Sequence, residues 1–168
     1  VLGNDEKYKI FDYLNELQNG KLEDPLVYVN DEGGFANVSE DGFVSATSRT
    51  RAFLKVQEGC NYYCSYCIIP FSRGRARSRS IEDSVEETKR LVDQGYQEIV
   101  LTGINIGTYN YEENGKMNSL VDLLDALQKI PGLKRMRLSS IEPNTVTDDL
   151  LQLTAESKVI CPHMHIPV

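Results

Sequence analysis

The stretch Cys60-Asn61-Tyr62-Tyr63-Cys64-Ser65-Tyr66-Cys67 places three thiols within eight residues. It follows the apolar, alternating run Ala52-Phe53-Leu54-Lys55-Val56 and the short break Gln57-Glu58-Gly59. The run reads as a strand, so the sulfurs sit in a loop leaving its end, where barrel and open-sheet enzymes place their chemistry. A C-x3-C-x2-C spacing offers three thiolates to one metal centre. An iron–sulfur cube held at three corners by cysteine leaves its fourth iron for an exchangeable ligand. Zinc would need a fourth ligand, which Cys161, His163 or His165 could supply. Redox thiols are the third reading, since Cys64-x-x-Cys67 by itself has that spacing. Structural zinc usually shows two paired knuckles, and a single cluster of cysteines favours iron.

Composition bounds the rest. A chain of 168 residues, 40% of them hydrophobic, suggests one domain with a real core. No long apolar run suggests a membrane span, and the start does not read as a signal peptide. Four cysteines, three of them bunched, fit metal binding in a reducing, cytoplasmic compartment rather than disulfides. A net charge of −7 argues against indiscriminate coating of nucleic acid.

Before the cysteines, Asn4 or Asp5 can cap a short helix with Tyr8, Phe11, Leu14 and Leu17 at near-helical spacing, ending at Gly20. Leu26 to Val29 reads as a strand and Asp31-Glu32-Gly33-Gly34 as a turn. Phe35 to Val38 and Gly42 to Val44 are weaker extended candidates. From Phe53 onward strands and helices alternate. Ser80 caps a helix with Ile81, Val85, Thr88, Leu91 and Val92 on one face, stopped by Gly95. Glu98 to Thr102 reads as a buried strand. Leu120 to Ile130 forms the next helix, Leu133 to Ser139 the third strand, and Thr147 caps a third helix. A fourth strand is expected from His163 to Val168. Such alternation requires parallel pairing and right-handed crossovers. The fold class expected is α/β, a partial (βα) barrel of about four strands with an open edge.

C-x3-C-x-aromatic-C after the first strand of an α/β unit resembles the signature of radical S-adenosylmethionine enzymes. The flanks Arg51 to Asn61, Cys67-Ile68-Ile69-Pro70, Arg73-Gly74 and Ser78-Arg79 are similar to the methylthiotransferase branch. Val1-Leu2-Gly3-Asn4 with Glu6-Lys7, and Leu101 to Asn105, resemble its members acting on threonylcarbamoyladenosine in tRNA. The resemblance runs through nearly the whole chain and implies a division. Residues 1–50 would be the tail of an N-terminal methylthiotransferase domain and a linker, and 51–168 a radical S-adenosylmethionine core truncated on its C-terminal side. It implies a [4Fe–4S] cluster on Cys60, Cys64 and Cys67, with S-adenosylmethionine on the fourth iron. A second cluster would belong to the longer protein. It also implies a tRNA anticodon loop as substrate, and a flavodoxin- or ferredoxin-type electron donor. Isopentenyladenosine tRNA or a ribosomal protein aspartate are alternative substrates of such chemistry. A zinc-stabilised RNA-binding module is the alternative of another class.

Further candidates surround the cysteines. By resemblance, Tyr66 is a cofactor contact. Thr102-Gly103-Ile104-Asn105 stands where the superfamily contacts the methionine amino group, although an ordinary strand-to-loop turn would read the same. Ser139 and Glu142 offer a hydroxyl and a carboxylate suited to a ribose or an ammonium group, or a cap for a following helix with Pro143 in its first turn. Arg73, Arg75, Arg77 and Arg79 form a run with no acid nearby in sequence, able to meet a cofactor carboxylate or RNA phosphates, with Arg79 the candidate cofactor contact. Ala76 and Arg77 replace an acid found in the isopentenyladenosine branch, which favours threonylcarbamoyladenosine. Cys161 reads as a buried thiol, and His163 and His165 as barrel-lining imidazoles. Tyr62 and Tyr63 could stack on a base or cover a cluster.

Overall fold

The computed structural model describes residues 2–3, 6–19, 27–28 and 50–167. Its centre is a parallel sheet of three strands, β1 (Ala52–Lys55), β4 (Glu98–Thr102) and β7 (Arg135–Leu138), in the order β1-β4-β7. Leu54 lies opposite Leu101 and Leu101 opposite Leu138, so one row of apolar side chains crosses the sheet. Helices α3 (Ile81–Asp93), α4 (Leu120–Gln128) and α5 (Asp148–Glu156) make the crossovers. Leu91, Leu123, Leu124, Leu127 and Leu150 bury against Ala52, Leu54, Ile99, Leu101, Met136 and Leu138.

Local chemistry explains the helix ends. Ser80 Oγ accepts from the Asp83 N–H and Thr147 Oγ1 from that of Leu150. Ser119 and Asp122 form a reciprocal capping box at the start of α4. At the end of α3, Gly95 takes a φ of +96° and its N–H reaches the Val92 carbonyl at 2.8 Å.

Three expectations change. Only Ile99 and Leu101 of β4 are fully buried, because the helices cover one face of the sheet while Phe53, Lys55, Val100, Thr102 and Arg137 are half-buried on the other. The fourth strand is present as two isolated parallel bridges, Met136 to Ile160 and Ser140 to His165, rather than one strand from His163. Pro162 between them has no N–H to donate to a ladder. The sequence reading also passed over three small elements. They are α2 (Ile69–Ser72), the antiparallel pair β2 (Gln57–Glu58) with β3 (Arg77–Ser78), and the hairpin β5 (Asn110–Glu113) with β6 (Lys116–Ser119).

In the opening segment, a 3-10 turn, Glu6–Lys9, leads into α1 (Ile10–Asn19), which has no buried residue among those described. Leu2 bridges Tyr28 in parallel, and Tyr13 stacks on Tyr28 with ring centroids 4.2 Å apart. The caps Asn4 and Asp5, the stop at Gly20, most of the Leu26–Val29 strand, and the segments from Asp31 to Val44 lie outside the described residues.

Candidate active site

The carboxyl ends of the three strands are stitched into one mouth by a buried side chain. Gln57, fully buried, sits just past β1. Its Oε1 accepts from the Ile104 N–H at 2.9 Å and the Asn105 N–H at 3.1 Å, on the loop after β4. Its Nε2 donates to the Glu58 and Gly59 carbonyls at 3.0 and 2.7 Å, on the threshold of the cysteine loop. Asn105 Oδ1 in turn accepts from the Glu142 N–H at 3.4 Å, and Ile106 N–H donates to the Ser140 carbonyl at 3.4 Å, beyond β7. Ser140 Oγ meets His165 Nδ1 at 2.9 Å. These contacts join the loops after β1, β4 and β7, with His165 beside them.

The cysteine loop leaves this mouth and returns to it. Gly59 has a φ of +71°, and a Cβ there would lie 2.0 Å from the Arg75 carbonyl oxygen, so the entry is closed to any larger residue. Cys60 is buried, Cys67 half-buried and Cys64 exposed, and all three are free thiols. Among the described residues no three His, Cys, Asp or Glu side chains are gathered into a ready metal cage, whether for iron or for zinc. Tyr66 is 91% exposed, and Tyr63, at a φ of +49°, stands edge-on to Phe71 with centroids 5.6 Å apart.

Other candidates fall in distinct environments. A Cβ on Gly103 would lie 2.9 Å from Gln57 Oε1 and from Ile106 Cγ2, so its close approach is to the protein's own Gln57. Asn105 is 3% exposed and its Nδ2 has no hydrogen-bond partner; Ser139 Oγ is likewise buried and unpartnered. Such orphans are uncommon in native interiors. Glu142 starts a 3-10 turn, Pro143–Thr145, and its half-buried carboxylate has no partner among the described residues. Cys161 is half-buried, and His163 and His165 are exposed.

The arginine run is not without acids. Buried Glu58 receives Lys55, Arg73 and Arg77, and Arg79 is buried with its Nε and Nη2 on Asp83. The sequence reading missed Glu58 because it lies 15 residues before Arg73, across the loop. Arg79 is held further by its carbonyl, which accepts from the Tyr109 hydroxyl at 2.6 Å. Burial pushes that hydroxyl's pKa well above the usual phenol range. Gln57 was also missed. The only hint was a polar residue directly after an apolar strand run.

The model of the radical SAM superfamily matches residues 54–168, from within β1 through the Ser140–His165 bridge. The chain belongs to the radical SAM superfamily. Within it, the chain is 41% identical along its whole length to threonylcarbamoyladenosine tRNA methylthiotransferase MtaB of Bacillus subtilis, and spans 37% of that protein. It is 42% identical over 70% of its length to the tRNA-2-methylthio-N(6)-dimethylallyladenosine synthase of Carboxydothermus hydrogenoformans, and spans 27% of that one. The chain thus covers little more than a third of these relatives at most. The radical S-adenosylmethionine methyltransferase TsrM of Kitasatospora setae, solved with cobalamin and a [4Fe–4S] cluster, superposes with a TM-score of 0.50 over 65% of this chain and 21% of that one. At 20% identity the likeness is one of fold alone, an α/β core. No helix among the described residues is long and apolar enough to cross a membrane.

Proposed function

We propose that this chain is the radical-generating core of a tRNA methylthiotransferase acting on carbon 2 of N6-threonylcarbamoyladenosine. The observation that carries the proposal is the C-x3-C-x2-C loop leaving β1, in a chain 41% identical throughout to a relative of that name. Cys60, Cys64 and Cys67 would hold a [4Fe–4S] cluster whose fourth iron takes S-adenosylmethionine. When bound, that pair supplies the carbon radical that removes a hydrogen atom from the substrate.

The chain's own side chains would bind and orient. Asn105 Nδ2 and Ser139 Oγ are donors with no partner at the strand ends, each costing about 1–3 kcal/mol while unsatisfied. A polar ligand there removes that cost. Glu142 offers a carboxylate for an ammonium or a ribose hydroxyl, and Tyr66 an exposed aromatic face. Gly103 serves by keeping Gln57 and the backbone of Ile104 and Asn105 together. Arg79 would reach a ligand only by leaving Asp83. Residues 1–50 would close a preceding domain, in keeping with the parallel bridge of Leu2 to Tyr28 around α1. The anticodon loop presents its bases unstacked, so no duplex need open. A flavodoxin- or ferredoxin-type protein would deliver the electron.

Dimethylallyladenosine, an isopentenyladenosine, is the second reading, favoured by the 42% identity to a synthase of its methylthio derivative. Nucleoside analysis of tRNA from a strain lacking the gene decides between them. Loss of the methylthio group from threonylcarbamoyladenosine alone is the expected result, and loss from the dimethylallyl nucleoside would replace the proposal. Anaerobic reconstitution of the chain with iron and sulfide should give a brown protein. A colourless chain holding one zinc, lost when His163 or His165 is replaced, would instead establish a zinc module.

A further inference from the structure

Glu58 is 3% exposed and stands directly before Gly59, at the neck of the cysteine loop. Its Oε2 meets Lys55 Nζ at 2.8 Å and Arg77 Nη2 at 3.4 Å, and its Oε1 meets Arg73 Nη1 at 3.3 Å. A carboxylate so deeply buried is tolerable only when paired in this way. The three cations arrive from both sides of the loop: Lys55 from β1 before it, Arg73 and Arg77 from the segment returning after it. Backbone contacts join the same two ends. Glu58 faces Arg77 in the β2–β3 pair, Cys60 N–H donates to the Gly74 carbonyl at 3.2 Å, and Ala76 N–H donates to Asn61 Oδ1 at 3.0 Å. Arg77 Nη1 also donates to the Arg73 carbonyl at 2.9 Å, tying the returning segment to itself.

We infer that Glu58 is a positioning residue for the cysteine loop, an ionic clasp that closes the neck of residues 59–76 and so limits how far the three thiols must move to meet on one centre. The inference rests on the reading that Cys60, Cys64 and Cys67 hold the cluster. It sorts the arginine run as well. Arg73 and Arg77 belong to the clasp and Arg79 to Asp83, while Arg75 is exposed with no acidic partner among the described residues.

The test compares Glu58→Gln, which keeps the shape and removes the charge, with Glu58→Asp, the double variant R73A/R77A, and Arg75→Ala. After anaerobic reconstitution, iron release to a chelator should be about tenfold faster in Glu58→Gln and in R73A/R77A. Glu58→Asp should recover most of the difference, and Arg75→Ala should match the parent chain. In the metal-free chain, hydrogen exchange should accelerate at least fivefold for amides of residues 60–76 in Glu58→Gln, with those of β4 and α4 unchanged. Equal iron retention in Glu58→Gln, or exchange that speeds up evenly along the chain, overturns the clasp. If the parent chain takes up no iron, the cluster reading fails, and the exchange pattern still decides whether Glu58 orders the loop.

Discussion

Gln57 does more for the mouth of this fold than any residue that motif reading selects. Its amide makes four hydrogen bonds to backbone groups, two of them 47 and 48 residues downstream. Gln57→Leu keeps the volume and strands those groups in a buried setting. At about 1–3 kcal/mol per orphan, offset in part by relaxation, the expected loss is about 3 kcal/mol, read from urea unfolding. Gly59→Ala acts differently. The required φ of +71° and the 2.0 Å approach to the Arg75 carbonyl leave no room, so the loop must rearrange while the sheet persists. Iron uptake should fall to near background with helical circular dichroism unchanged. The cysteines were legible in sequence because their chemistry lies in residue type and spacing. Gln57 and Glu58 were not, because what makes them matter is who faces them after folding.

At the scale of elements, helices α3, α4 and α5 were legible nearly to the residue, since the apolar period and the caps Ser80 and Thr147 are local signals. The capping box of α4 is testable. Ser119→Ala should cost about 1 kcal/mol in chemical denaturation. The Ser119 backbone N–H and hydroxyl, with help from Lys116, hold the Asp122 carboxyl below the ordinary carboxylate range. A carboxylate depressed in the folded state stabilises fully above the unfolded pKa and ceases to do so as pH falls through the folded one. The stability advantage of the parent over Asp122→Asn should therefore be complete at neutral pH and fade only below about pH 4, which an acid titration of both proteins checks. The hairpin β5–β6 was missed although its signal was present. Asn114 and Gly115 have φ of +52° and +77°, the conformation an Asn-Gly dipeptide supplies to a two-residue turn. The dipeptide stands between runs too polar to look like strands, one exposed on alternate residues and the other mostly exposed.

For the molecule as a whole, the proposed cluster would couple to the stability of the fold. Loading a cluster onto the chain should raise the midpoint of thermal unfolding, because a ligand bound only by the folded state stabilises it by mass action. Cys60→Ala, Cys64→Ala and Cys67→Ala should each abolish that rise. Cys60→Ala alone should also lower the metal-free midpoint, since Cys60 is buried while Cys64 is exposed. Differential scanning calorimetry under anaerobic conditions reads both effects. A Leu123→Ala variant, deleting a fully buried side chain where α4 meets the sheet, should cost about 2–5 kcal/mol and lower the midpoint with or without iron.

Sequence alone determined the order of the three parallel strands and of helices α3, α4 and α5, and the presence of three thiols in the loop leaving the first strand. Both depend on what neighbouring residues are and how they are spaced. Only the tertiary structure decided which arginines are held by Glu58 and Asp83, that the close neighbour of Gly103 is Gln57, and that Asn105 and Ser139 keep buried, unpartnered polar atoms. Those facts concern partners far apart along the chain, and a side chain's charge or hydrogen-bonding capacity is spent on whatever the fold brings against it.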